Sequence, residues 1–234
     1  MYNTFTIMYN LKGKKALVTG HTRGIGKAIY NLLQESGAKV TGISSAEVDF
    51  RNIDHVEKYI QELTQETNFD ICINNAGINT INFIQDVGRV EYAEIMNVNL
   101  HAPFLISKYV SAAMRKNYSG HIVNIASIFG VISKEKRTSY TLSKSALIGF
   151  TKALSIEMAE YGVLVNCVSP GFTNTELTQR ILSVSEINKI RDQIPMKRLC
   201  LVEEVANLVA YLCSPQNTYI TGQNIIIDGG FTNV

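Results

Sequence analysis

Lys15-Ala16-Leu17-Val18-Thr19-Gly20-His21-Thr22-Arg23-Gly24-Ile25-Gly26 is the stretch whose reading decides the fold. A short apolar run gives way to closely spaced glycines, and Ala28, Ile29, Leu32 and Leu33 then recur at helical intervals. In a strand–turn–helix context such glycines mark a phosphate seat rather than a flexible loop. Gly20 permits a tight turn, Gly24 lets a ligand approach the backbone, and Gly26 lets the helix pack on the strand. The first turn of that helix offers unpaired N–H groups and a positive dipole end to a pyrophosphate. The spacing, G-x-x-x-G-x-G, is one residue longer than the usual dinucleotide fingerprint. An ordinary turn is the competing interpretation.

Working outward, a second strand over 39–43 follows Gly37. Its tip is where a dinucleotide-binding fold meets the adenosine ribose, and an acidic residue there favours the free 2′-hydroxyl of NAD. Ser44 and Ser45 stand there instead, with no carboxylate to repel a 2′-phosphate, and Arg23 can reach one. This favours NADP(H) over NAD(H), although Arg23 can equally be a solvated surface charge. Only about ten residues then separate Ile43 from a helix starting near Asp54, too few for a parallel crossover of a dozen or more residues. The usual third strand and its helix are expected to be missing or vestigial, with Asp49 and Phe50 closing over an adenine.

Residues 55–67 read as an amphipathic helix leading into Phe69–Gly77, a buried strand whose small polar tip, Asn75-Ala76-Gly77, lies where ligands sit in such sheets. A helical stretch over 91–116 is interrupted near Pro103, and Asn97 and Asn99 within it are each either a buried structural amide or a functional one. A strand over 121–127 ends at Ser127, a turn former or a hydroxyl able to hold a carbonyl oxygen. Another strand over 163–168 is closed by Ser169-Pro170-Gly171. A polar, less regular segment over 172–197 is of the kind that covers a site, and a helix over 202–212 precedes a final strand over 219–230. Alternating strands and helices give an α/β protein, a doubly wound parallel sheet with helices on both faces. Residues 1–10 are expected to be a flexible extension and 11–234 a single domain.

Ser139-Tyr140-Thr141-Leu142-Ser143-Lys144 opens the longest helical run, and positions four apart on a helix share a face, so Tyr140 and Lys144 are neighbours. An ammonium beside a phenol favours the phenolate and lowers its pKa, which suits general acid–base work. Taken alone, the pair can equally be a tyrosine and a lysine on a wet helix face.

The bulk composition narrows the classes. The 234 residues carry a net charge of +2 with 46% apolar residues, enough for a substantial core and no reason to expect nucleic acid or an anionic membrane as partner. No apolar run approaches the roughly 18 residues of a membrane helix. The leading residues lack a secretion signal, and Met8 suggests that they are dispensable. Cys72 and Cys167 read as buried thiols, and the four cysteines form no metal-like cluster with the histidines. These features point to a metal-free cytoplasmic protein.

The chain resembles the short-chain dehydrogenase/reductase family from about Leu11 onward, on Thr19-Gly20-x-x-x-Gly24-Ile25-Gly26, Asn74-Asn75-Ala76-Gly77, Asn99, Ser127, Tyr140-x-x-x-Lys144, Pro170-Gly171 and Asp228-Gly229-Gly230. Its look is nearest to the 3-oxoacyl-[acyl-carrier-protein] reductase-like members. The resemblance implies a Rossmann-type sheet and a nicotinamide cofactor. It also implies Tyr140 as general acid/base, Lys144 lowering its pKa and binding the nicotinamide ribose, Ser127 polarising the carbonyl, and Asn99, rather than Asn97, anchoring a relay water. Thr22, Thr173 and Thr175 join the cofactor contacts, Thr175 at the position that holds the carboxamide. A homo-oligomer, tetramer or dimer, is implied through helices around 100–114 and 142–158.

The expected activity is hydride transfer between NADP(H) and a carbonyl or secondary alcohol. NAD(H) dependence and a non-catalytic nucleotide-binding subunit are the alternatives. The charged loop Lys134-Glu135-Lys136-Arg137 suits an anionic substrate, or is merely solvated. His121 and Tyr161 stand where carrier-docking bases are usual in the family, so a polar, sugar-like or ketoacid substrate ranks level with a 3-oxoacyl thioester.

Overall fold

A computed structural model describes residues 9–181 and 183–234. Six strands form one wholly parallel sheet: β1 (Lys15–Thr19), β2 (Lys39–Ile43), β3 (Ile71–Asn74), β4 (Gly120–Ile125), β5 (Val163–Pro170) and β6 (Asn224–Ile227), ordered β2-β1-β3-β4-β5-β6. The crossovers run through α1 (Gly24–Glu35), α2 (Ile53–Glu66), α3 (Arg89–Met96), α4 (Ala102–Lys116), α5 (Thr138–Met158), α6 (Glu176–Ile181), α7 (Val184–Gln193) and α8 (Val202–Leu212).

Strand alternation explains the layers, because successive side chains of β1 point to opposite faces. Ala16 and Val18 pack with Ile29 and Leu33 of α1 and with Val205 and Val209 of α8. Leu17 instead joins Val56 and Ile60 of α2 and Ile106, Val110 and Met114 of α4. Each such aliphatic side chain contributes about 1.5–3 kcal/mol on full burial, so a polar substitution at any of these positions weakens both the sheet and the helix it carries.

The chain steps outward from β1 to β2, then returns past β1 to β3. The direction of winding reverses there, and the carboxyl tips of β1 and β3 frame the crevice in which doubly wound sheets bind ligands. Beyond β2 the sheet stops. Residues 44–52 turn directly into α2 without forming a strand, so the truncation expected from the short interval is present.

Three expectations are corrected. Tyr9 is only 7% exposed and packs in the core with Leu11, so the ordered body begins before residue 11, while residues 1–8, including Met8, lie outside the described residues. β6 covers Asn224–Ile227 alone, since residues 219–223 are turns bonded sideways to β5 through Thr221 and Asn166. The 172–197 segment contains α6 and α7, the latter started by a Ser183–Glu186 capping box.

Candidate active site

Thr19, at the end of β1, is 2% exposed, and its hydroxyl accepts the N–H groups of Asn75 and Ala76, both at 2.9 Å. Asn75 returns the brace, donating from Nδ2 to the carbonyls of Thr19 and Gly20 at 2.9 and 3.1 Å. The tip of β3 is thereby tied to the glycine turn. Gly20 and Gly24 adopt φ of +67° and +52°, which an L side chain resists. A Cβ on Gly26 would lie 2.2 Å from the Gly20 carbonyl oxygen, so this glycine lets the helix close on the strand. No acidic residue occupies the first turn of α1, and its cap residue, Arg23, makes no side-chain cap bond. Those N–H groups suit a pyrophosphate. Thr22 and Arg23 are exposed on the turn, Ile25 is half-buried behind it, and the Thr175 methyl faces Gly24.

At the adenosine end the structure revises the sequence reading. Glu47 folds back onto the tip of β2, where its Oε2 accepts both the amide N–H and the hydroxyl of Ser44 at 2.7 Å. Those two bonds hold its carboxyl below the ordinary range. A carboxylate therefore does stand at the ribose position, three residues beyond where a strand-tip acid is sought. His21 lies across Gly42, where a Cβ would meet the imidazole Cγ at 2.4 Å, and sits 5.2 Å from the Tyr30 ring. Its Nδ1 is buried with no hydrogen-bond partner among the described residues. An orphaned ring nitrogen beside Ser44 and Glu47 fits a polar ligand group such as a ribose hydroxyl. Ser45 is exposed. Asp49 caps its own turn by accepting from the Arg51 N–H at 3.0 Å. Phe50 does not close over the crevice: its ring is 6% exposed and belongs to the core beneath α2.

The reacting end is built at the tips of β3, β4 and β5. Between α3 and α4 the chain makes a π-helical turn, Asn97–His101, with the Ala102 N–H donating to the Asn97 carbonyl five residues back. Pro103 has no N–H to give the Asn99 carbonyl four residues before it, and the widened turn accommodates that loss. Asn99 is fully buried there, with Oδ1 accepting from the Ile78 N–H at 2.9 Å and Nδ2 donating to Ser143 Oγ at 3.0 Å. Ser143 in turn donates to the Tyr140 carbonyl at 2.8 Å. Asn97 turns outward, bonding the Arg51 carbonyl and His101, so the structure separates the two amides. Ser143 escaped the sequence reading because a helix serine carries no distinguishing pattern.

Ser127 follows β4, accepts from the Phe129 N–H at 3.2 Å, and its hydroxyl lies near enough to the Tyr140 phenol to favour the phenolate. Lys144 reaches under Tyr140, its Nζ 5.8 Å from the ring centroid, and donates to the Ile125 carbonyl at 2.8 Å. Burial lowers the Lys144 pKa to about 8. The phenol is held above its usual value, chiefly by burial, with Ser127 and then Arg137 pulling it back. The Lys144 ammonium is engaged on the Ile125 carbonyl in a desolvated site. Gly77 faces the same space, its missing Cβ 3.4 Å from Asn99 Oδ1 and 3.5 Å from Lys144 Nζ. Pro170 pairs with Ile227 at the end of β5, Gly171 passes close over Asp228, and Thr173 is 8% exposed with its hydroxyl on the Gly171 carbonyl.

A half-buried tyrosine, a serine hydroxyl, a lysine and an asparagine beside a glycine-rich dinucleotide crevice define a protein of the short-chain dehydrogenase/reductase class. The chain belongs to this family of NAD(P)-dependent oxidoreductases acting at CH–OH or carbonyl centres: residues 41–232 match the family model described as enoyl-(acyl carrier protein) reductase. Among individual proteins it is similar to the 3-oxoacyl-[acyl-carrier-protein] reductase FabG of Vibrio cholerae, 38% identical over 94% of this chain and 98% of the relative. A structure from Beutenbergia cavernae assigned as an NAD(P)-dependent gluconate 5-dehydrogenase, with NADP bound at low occupancy, superposes at a TM-score of 0.92, 28% identity, 96% of this chain and 99% of that one. A 4-hydroxyisoleucine dehydrogenase complexed with NADH superposes at 0.90 with 29% identity, covering 95% and 100%.

Proposed function

We propose that the protein is an NADP(H)-dependent oxidoreductase interconverting a ketone and a secondary alcohol, with Tyr140 as general acid/base. The carrying observation is the convergence of Tyr140, Ser127, Lys144 and the Asn99–Ser143 chain at the crevice closed by the glycine turn. A bound nicotinamide dinucleotide supplies or accepts the hydride. In the reducing direction Ser127 and Tyr140 aim hydrogen bonds at the substrate oxygen as negative charge gathers there, and Tyr140 gives that oxygen its proton. In oxidation the phenolate takes the hydroxyl proton. Lys144 lies where it can hold ribose hydroxyls, and Asn99 keeps the inner wall of the relay fixed.

Arg23, exposed on the glycine turn, supports NADP(H), as does the NADP in the Beutenbergia structure. NAD(H) is the second reading, favoured by the Glu47 carboxylate on the two donors of Ser44. Substrates of the relatives range from an acyl-carrier thioester to gluconate, and a polar or anionic ketone or a 3-oxoacyl thioester fits the site. No helix among the described residues is long and apolar enough to cross a membrane, and four free thiols support a reducing, cytoplasmic setting. Exposed Phe104, Leu142 and Ile156 on α4 and α5 support self-association through that face.

Tyr140→Phe tests the central role. The variant is expected to bind reduced dinucleotide as the wild type does, read by cofactor fluorescence, while turnover of a ketone panel falls about 10²–10⁴-fold. Full turnover in this variant removes Tyr140 from the chemistry.

A further inference from the structure

Arg137 caps the N-terminal end of α5, three residues before Tyr140, and its guanidinium lies 5.5 Å over the Phe129 ring. It is half-buried, yet among the described residues its guanidinium makes no hydrogen bond and no ion pair; neighbouring Glu135 is exposed and does not meet it. Five N–H donors in a fork, partly withdrawn from water and left without an acceptor, are costly, and desolvation accordingly lowers its pKa. The position aggravates the cost. Helix N-termini favour anions, but α5 has no acid in its first turn and Lys136 adjoins Arg137. The charge nonetheless reaches the phenol of Tyr140, on the same helix face. Beside it the Phe129 ring meets Phe172 edge-on at 6.1 Å, and Phe172 meets Phe231 at 5.2 Å.

We infer that Arg137 is the seat of a substrate carboxylate, and that the preferred substrates are short keto acids and hydroxy acids rather than neutral thioesters. A guanidinium fork matches a carboxylate bidentately. Phe129, whose ring the guanidinium covers, donates its N–H to Ser127 Oγ at 3.2 Å, so a carboxylate on Arg137 and a carbonyl at Ser127 and Tyr140 belong to one small molecule. The phenyl row takes its apolar body. Lys136 is not the seat, since it is exposed and its Nζ lies over the Phe83 ring at 4.4 Å, so its charge is not withdrawn from water as that of Arg137 is. Arg137 thus binds and orients; proton transfer stays with Tyr140.

The inference rests on the oxidoreductase reading, and its test separates the two. Wild type and Arg137→Gln are assayed with short 2-, 3- and 4-keto acids, their methyl esters and a 3-oxoacyl thioester of N-acetylcysteamine. The wild type is expected to prefer at least one acid to its ester by about tenfold or more in kcat/KM. In Arg137→Gln that acid should lose about 10- to 100-fold, mainly in KM, the worth of a charged hydrogen bond, while the ester changes less than about threefold. Equal losses on acid and ester make Arg137 a tuner of Tyr140 alone and overturn the carboxylate seat. Turnover of esters and thioester without preference for any acid overturns it too, leaving the oxidoreductase intact. Absence of turnover on every compound overturns the oxidoreductase reading and the seat with it. If Arg137→Gln fails to fold, wild-type inhibition by a saturated carboxylic acid but not its amide supports the seat, and equal inhibition refutes it.

Discussion

Glu47 shows how much one side chain can change the meaning of a site. Three residues past the β2 tip, it reaches back to occupy both donors of Ser44. A 2′-phosphate on the adenosine ribose competes with that carboxylate for the same hydrogen bonds and is repelled by its charge; a free 2′-hydroxyl can donate to it. Glu47→Gln is therefore expected to tighten NADPH binding relative to NADH by about tenfold, since one like-charge contact at about 4 Å is worth roughly 1–4 kcal/mol near a protein surface. Fluorescence titration of the two reduced cofactors measures this, and an unchanged ratio removes Glu47 from cofactor selection. The candidate residues Asn99, Ser127, Tyr140 and Lys144 were legible through the family resemblance, since the chain's own pattern gave only a helix pair, a strand-tip serine and two undistinguished amides. Glu47 and His21 were not, because a turn and a ring laid across Gly42 bring them into place, and neither leaves a periodic trace in the chain.

Among the elements, the β1–α1 turn is the one whose chemistry was most fully written in its residues. Positive φ at Gly20 and Gly24 and the closeness of Gly26 to the strand account for all three glycines. Gly26→Ala places a methyl 2.2 Å from the Gly20 oxygen and 2.3 Å from Asn75 Nδ2, displacing the brace that links β1 to β3. A loss of about 1–3 kcal/mol in stability is expected from such overpacking, together with loss of dinucleotide binding. Urea unfolding and cofactor titration check the two; wild-type affinity in this variant contradicts the assigned function of the turn. The π turn that carries Asn99 was legible only as an interruption near Pro103. A sequence names the missing N–H, whereas the turn that widens to absorb it, Asn97–His101, is seen only in the folded chain.

At the scale of the molecule, the layered sheet and its truncation followed from alternation and from the length of one interval. Burial of the polar groups it encloses did not. His121 is half-buried beside Lys14 and Asn217, and burial pushes its pKa down to about 4. The unfolded chain binds its proton near pH 6.5, so between those values the unfolded state holds more protons than the native one. Stability is therefore lost as pH falls from about 6.5 toward 4, by up to about 3 kcal/mol from this residue alone. Urea midpoints at pH 7 and pH 4.5 should differ less in His121→Gln than in the wild type, and identical pH dependence rules out this origin.

The early stop at β2 has a cost on the outer rim. Among the described residues every other strand but β6 has two partners, whereas β2 pairs only with β1, leaving one row of its amides and carbonyls without a strand partner there. Such a rim can recruit a foreign strand. The charged, solvent-facing Lys39 at its start and the immediate turn after Ile43 keep that rim short, so the same abbreviation that unseats the usual adenosine wall also limits the length along which two molecules could zip together.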